Sequence, residues 1–182
     1  MREIVTYLHM IHPTQVRASP PVNGLSLHRA ATLDGIRALH ETIGSPHHWA
    51  RCSWSEKQWE QWLHDPRHTQ WLFTLGGDTI GALELDSSGE GSVEIVVFGL
   101  LPTYTGQGLG AGALSLAART AWATTDSNGQ PPQYIWLLTS TLDHPHALPN
   151  YLSRGFRVLC TLTRSHPCPS SQPGVYRKPV PS

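Results

Sequence analysis

Glycine occupies every second position of one short segment, at Gly106, Gly108 and Gly110. Because glycine carries no Cβ, the backbone amides of such a segment can approach a ligand closely. The residues from about Leu109 onward are rich in Ala and Leu, which predicts a helix. The first amides of a helix have no partner inside it, and the helix dipole is positive at that end. The segment therefore predicts a binding site for phosphate groups, such as a pyrophosphate.

The glycine pattern has alternative interpretations. Glycines also allow a helix to pack closely against a strand, which is a purely structural role. The segment formally matches the Gly-x-Gly-x-x-Ala fingerprint of dinucleotide-binding folds, and Asp126 occupies the place of the acid that binds ribose. However, Pro102 and a longer connection separate the strand from the glycines, and Asp126 lies in a turn-like segment. A nucleoside-triphosphate loop is excluded because Gly-Lys-Ser/Thr does not follow the glycines.

Residues 93–99, VEIVVFG, predict a strand that carries one acid, Glu94. Burial in an apolar strand raises the pKa of a carboxyl group, and this would make Glu94 a general base for chemistry near neutral pH. The alternation of side chains along a strand also permits a solvent-exposed Glu94 on a polar face. Glu94 is therefore the candidate base, with a surface position as the alternative.

Two segments resemble the GCN5-related N-acetyltransferase (GNAT) superfamily. Residues 101–114, LPTYTGQGLGAGAL, are similar to the Gln/Arg-x-x-Gly-x-Gly/Ala signature that binds the pyrophosphate of acyl-coenzyme A, although Thr105 replaces the Gln or Arg. Residues 134–158 resemble the C-terminal half of the superfamily, with a helix that ends in Tyr-x-x-x-Gly-Phe. The Thr-Leu-Asp-His-Pro and Phe-Gly-Leu-Leu-Pro runs are typical of a bacterial subset. The resemblance covers roughly residues 70–160.

The resemblance implies a fold, a co-substrate and a set of site residues. The fold would be α/β (α+β), a single GNAT domain with a central mixed, mostly antiparallel, splayed sheet flanked by helices on both faces. The co-substrate would be acetyl-coenzyme A, without a metal. Glu94 would be the general base, and Tyr151 would be the acid that protonates the leaving thiolate. The residues expected to bind the cofactor are Phe98, Gly99, Leu100, Thr105, Gly106, Gln107, Gly108, Leu109, Gly110, Ala111 and His144.

Several of these residues have more than one interpretation. The resemblance implies that the backbone around Phe98, Gly99 and Leu100 binds the pantetheine arm like an added strand and polarises the acyl carbonyl. Tyr151 is alternatively a core aromatic residue with a satisfied hydroxyl group. His144 is alternatively a solvated turn residue, in which case the preceding Asp143 caps the next helix.

A dense group of His, Trp and Arg residues follows the first predicted helix. The residues expected to bind the acceptor are His48, Trp49, Arg51 and Trp54, together with the neighbouring His47. An Arg among indole rings can clamp a carboxylate or stack on a planar ring. Trp54 has a packing role as the alternative, and Trp59 and Trp62 are predicted core residues because they are three positions apart on a helix. We expect a small-molecule amine as the acceptor, since a lysine-rich protein tail would require a strongly acidic surface.

The elements that position these residues follow in a regular order. Predicted strands cover residues 25–30, 69–75, 79–86, 93–99, 134–141 and 155–163, and predicted helices cover 32–44, 55–65, 108–123 and 145–153. Thr32 is the predicted cap of the first helix, and Ser55 with Gln58 forms a capping-box pattern for the second. Gly76 and Gly77 predict a tight hairpin turn. We expect an extended N-terminal arm over residues 1–24, the domain over 25–165, and a Pro/Ser-rich tail over 166–182 with a last strand near 175–178.

Composition agrees with one compact domain. The chain has 182 residues, and its 13 basic and 13 acidic residues give a formal net charge of zero, which argues against nucleic acid or an anionic membrane as the main partner. Cys52, Cys160 and Cys168 are too few and too widely spaced for a disulfide framework or a zinc site. We expect a cytoplasmic monomer or homodimer.

The expected activity is direct transfer of an acetyl group from acetyl-coenzyme A to the amine of a small molecule. One alternative is a non-catalytic module that binds acyl-coenzyme A for sensing. The other keeps catalysis but uses an alcohol acceptor or a longer acyl chain.

Overall fold

The computed structural model describes residues 2–165, and the structural statements below concern this part of the chain. Its strands are β1 (Arg2–Met10), β2 (Leu25–Arg29), β3 (His68–Leu75), β4 (Asp78–Asp86), β5 (Ser92–Leu100), β6 (Tyr134–Ser140) and β7 (Arg157–Ser165). Its helices are α1 (Ile36–Gly44), α2 (Glu56–Leu63), α3 (Leu109–Ala123) and α4 (Ala147–Ser153). Cys168 and the strand predicted near 175–178 lie outside the described residues.

The seven strands form one sheet in the order β2-β3-β4-β5-β6-β1-β7. Every pair of neighbouring strands is antiparallel except β5 and β6, which run parallel. The prediction of a mixed, mostly antiparallel sheet is therefore confirmed. In residues 2–165, none of the helices is long and apolar enough to cross a membrane.

Helices cover both faces of the sheet, as predicted. On one face, α3 and α4 form the main core with the strands, and Leu114 of α3 and Leu83 of β4 are fully buried there. On the opposite face, Ile43 of α1 packs against Ala82 of β4 and Val97 of β5. We call these two sides the core face and the α1 face. Burial of apolar side chains on both sides supplies the main driving force for the fold.

Local signals predicted several element boundaries correctly. Gly76 and Gly77 connect β3 to β4, and both have positive φ angles, which glycine adopts without a steric penalty. Ser55 accepts from the backbone N–H of Gln58 in a capping box before α2. The start of α1 differs from the prediction, because the helix begins at Ile36 after Gly35 in the left-handed conformation and not after a Thr32 cap.

The extended arm predicted over residues 1–24 is a strand of the sheet in its first part. Residues 2–10 form β1, which lies between β6 and β7 inside the sheet. Leu8 and Met10 are fully buried in the core, and Val5 and Tyr7 are buried on the opposite face. Because both faces of β1 are buried, the first residues of the chain belong to the folded domain.

Candidate functional site

The parallel strands β5 and β6 separate along their length. Their pairing joins Ser92 to Tyr134, Val93 to Ile135 and Glu94 to Trp136. Beyond Glu94, β5 has no further paired residue on β6 in the described chain, although the two strands continue to Leu100 and Ser140. We call the space between these unpaired parts the strand gap. Its backbone groups are available to an extended ligand, which can bind in the manner of an added strand.

The predicted pantetheine-binding residues lie along the β5 side of this gap. Phe98, Gly99 and Leu100 pair with β4 on their other side, so β4 holds their backbone in position. The side chain of Phe98 packs on the core face, whereas a Cβ at Gly99 would lie 2.4 Å from Ile43 Cγ2. Glycine at position 99 therefore allows α1 to pack closely against the end of β5.

Residues 105–108, which we call the glycine loop, form the last part of the connection from β5 to α3. Gly106 and Gly108 have φ angles of +77° and +76°, and Gly108 is the N-cap residue of α3. Apart from the glycine itself and its two chain neighbours, no atom of the described chain lies within 4 Å of a Cβ built at either position. The loop therefore needs glycine for its left-handed backbone, and it leaves open space in front of the helix terminus. Buried Leu109 anchors the first turn of α3 to the core.

The polar side chains of the glycine loop bond to the backbone of the residues just before it. The hydroxyl group of Thr105 donates to the carbonyl oxygen of Pro102 at 2.5 Å. The amide group of Gln107 donates to the carbonyl oxygen of Thr103 at 2.7 Å. The backbone amides at the start of α3 thus remain as the groups that can hold a phosphate. The absence of the Gln or Arg expected at position 105 leaves this backbone site intact.

The first turn of α3 also contacts α4. Asn150 donates from Nδ2 to the carbonyl oxygen of Gly110 at 3.1 Å, and Ala111 follows as a half-buried residue of the same turn. This contact fixes the position of α4, which carries Tyr151, relative to the glycine loop. Residues of the phosphate site and the candidate acid are therefore held by one pair of helices.

Tyr151 lies beneath the end of β5. Its ring is 6.1 Å from the ring of Phe98, and its side chain is buried. Burial, and secondarily the charge of Asp143, raises the pKa of Tyr151 well above its usual value. The hydroxyl group therefore stays protonated at neutral pH and can serve as a proton donor. His144 is half-buried near the same gap, 6.3 Å from the ring of His47.

Glu94 lies on the α1 face at the point where β5 and β6 begin to separate. It is half-buried, with Asp86 of β4 and Trp136 of β6 as its neighbours in register. The core face at the same level is apolar, because Val93 and Ile95 are buried there. The candidate base and the candidate acid Tyr151 therefore approach the strand gap from opposite faces of the sheet.

The structure gives Arg51 a role that differs from the predicted carboxylate clamp. Its guanidinium group forms a salt bridge with Glu84, whose side chain is only 2% exposed. The same group lies 3.9 Å from the ring centre of Trp62 and 5.0 Å from that of Trp54. Trp62 also donates to Glu84 at 2.8 Å, and Gln70 donates to it at 2.9 Å. The charge of Arg51 is therefore already paired with Glu84 inside this cluster, and removal of one partner would leave the other charge buried alone.

The neighbouring tryptophans pack around this ion pair. Trp54 is in edge contact with both Trp59 and Trp62 at 5.5 Å between ring centres. Trp59 is 2% exposed, which confirms its predicted place in the core. The indole rings shield the buried charges from water and hold α2 against β3 and β4.

His40 is a buried polar residue that the sequence did not single out. Its ring lies between Trp49 and Trp59, at 5.1 and 4.9 Å between centres. Burial, with a further contribution from Arg51, lowers the pKa of His40 to about 4. Its Nε2 atom has no hydrogen-bond partner among the described residues. The sequence did contain a signal for the burial of His40: it lies four residues after Ile36, on the buried face of α1.

Trp49 connects the segment between α1 and α2 with the end of β6. Its indole N–H donates to Oδ1 of Asp143 at 2.9 Å. His47 donates from Nδ1 to the carbonyl oxygen of Leu142 at 3.2 Å. His48 is exposed and has a φ angle of 55°. Of the four residues predicted to bind an acceptor, Trp49 lies beside the strand gap at Gly99, His48 is its exposed neighbour in the chain, and Arg51 and Trp54 belong to the buried cluster.

Asp126 has a structural role that agrees with the rejection of the dinucleotide fingerprint. Its carboxylate accepts from the backbone N–H groups of Gly91, Asn128 and Gln130 at 2.7 to 2.9 Å. The bonds from Gln130 and Gly91 lower the pKa of this carboxyl group. Asp126 therefore stabilises the loop between α3 and β6, and three backbone N–H groups already occupy its carboxylate.

Comparison with known proteins was made for the sequence and for the fold. A family model of the acetyltransferase (GNAT) family matches residues 36–156, from the start of α1 to the residue before β7. No curated protein matches the sequence significantly. The matched range contains the strand gap, the glycine loop and Tyr151, which are the features described above.

Several solved structures have a similar fold. A GCN5-related N-acetyltransferase from Kribbella flavida has a TM-score of 0.62 and 17% identity, over 87% of this chain and 55% of that chain. One from Sphaerobacter thermophilus has a TM-score of 0.52 and 16% identity, over 89% and 50%. An aminoglycoside acetyltransferase from an uncultured soil metagenomic sample has a TM-score of 0.52 and 15% identity, over 72% and 88%. The chain thus spans about half the length of the first two proteins, and at these identities the likeness confirms the predicted fold.

Proposed function

Because the chain belongs to the GNAT acetyltransferase family, we propose that it transfers an acetyl group from acetyl-coenzyme A directly to the amine of a small molecule. The observation that carries this proposal is the continuity of the strand gap with the glycine loop. The unpaired end of β5 leads through residues 101–104 to Gly106 and Gly108, and these open α3. An extended arm with a terminal pyrophosphate fits this combination of a free strand edge and a helix N-terminus.

The residues present fit acyl-coenzyme A at each part of that path. The backbone of Phe98, Gly99 and Leu100 would bind the pantetheine arm. The amides of Gly106 to Ala111 would bind the pyrophosphate, because both left-handed glycines leave the approach open. His144 would contact the arm from the β6 side of the gap.

Acetyl-coenzyme A supplies an activated thioester carbonyl group and a thiol leaving group when it is bound. Glu94 would accept the proton that an ammonium acceptor must lose before it can attack. Tyr151 would hold its proton at the hydroxyl group until the leaving sulfur needs one, and its place beside Phe98 at the end of β5 supports this role. A backbone N–H of β5 near Phe98 would polarise the carbonyl group.

The proposed acceptor is a small amine that enters beside His48 and Trp49. Two observations support this class. The segment between α1 and α2 is anchored to the end of β6 by Trp49 and His47, so it forms a defined wall. A protein with a similar fold is an aminoglycoside acetyltransferase, which supports a small-molecule acceptor. We also propose a cytoplasmic location as monomer or homodimer, which the unpaired thiols Cys52 and Cys160 support.

The experiment combines binding and turnover on one sample of the full chain. Calorimetry with acetyl-coenzyme A should show binding, and a thiol-release screen against pooled amines and alcohols should show amine-dependent release. Glu94→Gln should keep the affinity for acetyl-coenzyme A but lower the rate by about a hundredfold or more, as expected for loss of a general base. Tyr151→Phe tests the proposed acid in the same two measurements.

The outcomes separate the alternatives. Binding without release, unchanged by either substitution, would favour a sensing module. Release with alcohols and not with amines would change the acceptor class. An unchanged pH–rate profile in Glu94→Gln would remove Glu94 from the mechanism, and absence of binding would refute the proposed function.

A further inference from the structure

The indole ring of Trp49 is placed by two unusual backbone positions. Gly44 ends α1, and a Cβ at this position would lie 2.4 Å from Cε3 of Trp49. His48 has a φ angle of 55°, which is uncommon for a residue with a side chain. This left-handed residue turns the chain back after Ser45–His47, and the backbone N–H of Trp49 donates to the carbonyl oxygen of Gly44 at 3.2 Å. The chain thus directs the indole ring toward the sheet.

The far edge of the ring reaches the strand gap at Gly99. The Cη2 atom of Trp49 lies 3.5 Å from the position that a Cβ of Gly99 would occupy, and Ile43 lies beside it. The ring of His40 packs against the indole in an edge contact, with 5.1 Å between centres. His40 is itself buried against Trp59, so a packed side chain supports the indole ring on this side.

Asp143 holds the opposite side of the same ring. Its Oδ1 accepts from the indole N–H at 2.9 Å. Its Oδ2 accepts from the hydroxyl group of Thr139 at 2.7 Å and from the backbone N–H of Ser140 at 2.9 Å. Both carboxylate oxygens are therefore bound, and three donors fix the side chain of Asp143. Trp49 consequently spans from Gly99 on β5 to the end of β6, across one side of the strand gap.

We propose that Trp49, held in place by Asp143, limits the length of the acyl chain that this enzyme accepts. The inference rests on the proposed function, because it requires the thioester to lie at Phe98 and Gly99. On this proposal a two-carbon acyl group would end before the ring, whereas a longer chain would have to displace an indole that His40 and Asp143 hold. Asp143 acts as a positioning residue, since it touches Trp49 and not the acyl group.

The physical basis is steric exclusion by a rigid wall. Protein interiors are close-packed, and insertion of extra methylene groups forces side chains and backbone to shift. Removal of the indole leaves a cavity next to Gly99 that an alkyl chain can fill. A hydrophobic pocket changes its preference by about tenfold or more for each methylene that fits or fails to fit.

The test measures binding and does not require turnover. Dissociation constants of coenzyme A, acetyl-coenzyme A and hexanoyl-coenzyme A are determined by calorimetry for the full chain and for Trp49→Ala. In the unaltered chain, hexanoyl-coenzyme A should bind at least about tenfold more weakly than acetyl-coenzyme A. In Trp49→Ala this ratio should fall by about tenfold or more, while the affinity for coenzyme A stays the same.

Two further variants distinguish the role of Trp49 from that of Asp143, and they keep the test valid if Trp49→Ala does not fold. Trp49→Phe keeps an aromatic ring but lacks the N–H, and Asp143→Asn keeps the shape but offers an N–H₂ group to one of the bound donors. Both should loosen the ring and give intermediate ratios, and the double variant should add little, because both changes remove the same hydrogen bond. A merely structural role of Asp143 would lower stability without a change in the acyl preference.

The possible results lead to distinct conclusions. Equal affinity of the unaltered chain for the acetyl and hexanoyl thioesters overturns the inference, as does an unchanged ratio in the Trp49 variants that bind coenzyme A. If Trp49→Ala does not fold, the ratio in Trp49→Phe decides by the same criterion. Absence of coenzyme A binding by the unaltered chain refutes the proposed function, which is a separate result.

Discussion

The cofactor end of the strand gap and the α1 face next to it are built in opposite ways. At the cofactor end, the glycine loop is exposed, its polar side chains bond to the backbone just before it, and there is open space at Gly106 and Gly108. On the α1 face, side chains fill the interior, and the buried pair of Arg51 and Glu84 lies among tryptophans. One region offers bare backbone, whereas the other is a packed network of side chains.

This difference indicates that the two regions have different roles. Backbone amides recognise a group that is the same in every turnover, so the cofactor end needs little from its side chains. Under the proposed function the α1 face forms the acceptor side of the site, and a surface made by side chains must be held by packing and paired charges. We therefore expect substitutions at the cofactor end to change affinity, and substitutions in the packed cluster to change stability.

The largest effect should come from Glu84→Ala. This change leaves the guanidinium group of Arg51 buried without its partner, which should lower the free energy of unfolding by about 3 to 5 kcal/mol. Urea denaturation measures the loss. The double variant Arg51→Met/Glu84→Leu is the matched control and should recover part of it, because no charge remains buried although Trp62 and Gln70 lose their acceptor. A loss below about 1 kcal/mol, as for an exposed ion pair, would show that the cluster is not a closed network.

His40 should make the same region sensitive to acid. Its pKa falls from 6.5 to about 4 in the folded chain, so between these values the unfolded chain binds a proton that the folded chain does not. The free energy of unfolding should therefore decrease as the pH drops through this window, by about 3 kcal/mol from this residue. Chemical denaturation of the unaltered chain and of His40→Gln at several pH values measures the contribution. Parallel curves for the two proteins would contradict the prediction.

At the cofactor end, Gly108→Asp should weaken binding of acetyl-coenzyme A. A carboxylate at the N-terminus of α3 competes with the pyrophosphate for an interaction of up to about 2 kcal/mol, which corresponds to about thirtyfold in affinity. Gly108→Asn is the matched control, because asparagine has the same shape, no charge and a tolerance for the left-handed conformation. Equal affinities of the two variants in calorimetry would refute the assignment of the pyrophosphate site.

The smallest effect concerns the boundary of the packed region. Ser55→Ala removes the capping box of α2, which should lower the free energy of unfolding by about 1 kcal/mol and leave the affinity for acetyl-coenzyme A unchanged. Ser55→Asp retains a capping oxygen and should keep most of the stability. A loss of affinity in Ser55→Ala would indicate that α2 shapes the cofactor site, contrary to the division proposed above.

Local patterns in the sequence were sufficient for much of the fold. Alternating apolar residues, the Gly76-Gly77 turn and the capping box at Ser55 each depend on neighbours within a few residues, and the structure confirms them. The predicted start of α1 was wrong, because Gly35 in the left-handed conformation precedes the helix in place of a side-chain cap. Local signals are weakest at such boundaries, where several residues can serve.

Long-range pairing accounts for the larger differences between the sequence-based predictions and the structure. Residues 2–10 carry no turn or cap signal that distinguishes a central strand from an arm, and they become β1 only because β6 and β7 pair with them. Arg51 is similar, since Glu84 lies 33 residues further along the chain and a sequence does not show that the two meet. The hydrogen bond between Trp49 and Asp143 joins residues 94 apart.

The sequence by itself determined the backbone-based part of this protein: the glycine loop, the helix that it opens and the strand that carries Glu94. These features follow from the conformational freedom of glycine and from local periodicity, which act within a few residues. Only the tertiary structure decided which side chains are paired and which reach the strand gap. The burial of Arg51 by Glu84, the neutral state of His40 and the position of Trp49 all depend on packing between distant segments, because desolvation and steric exclusion exist only once the chain has folded.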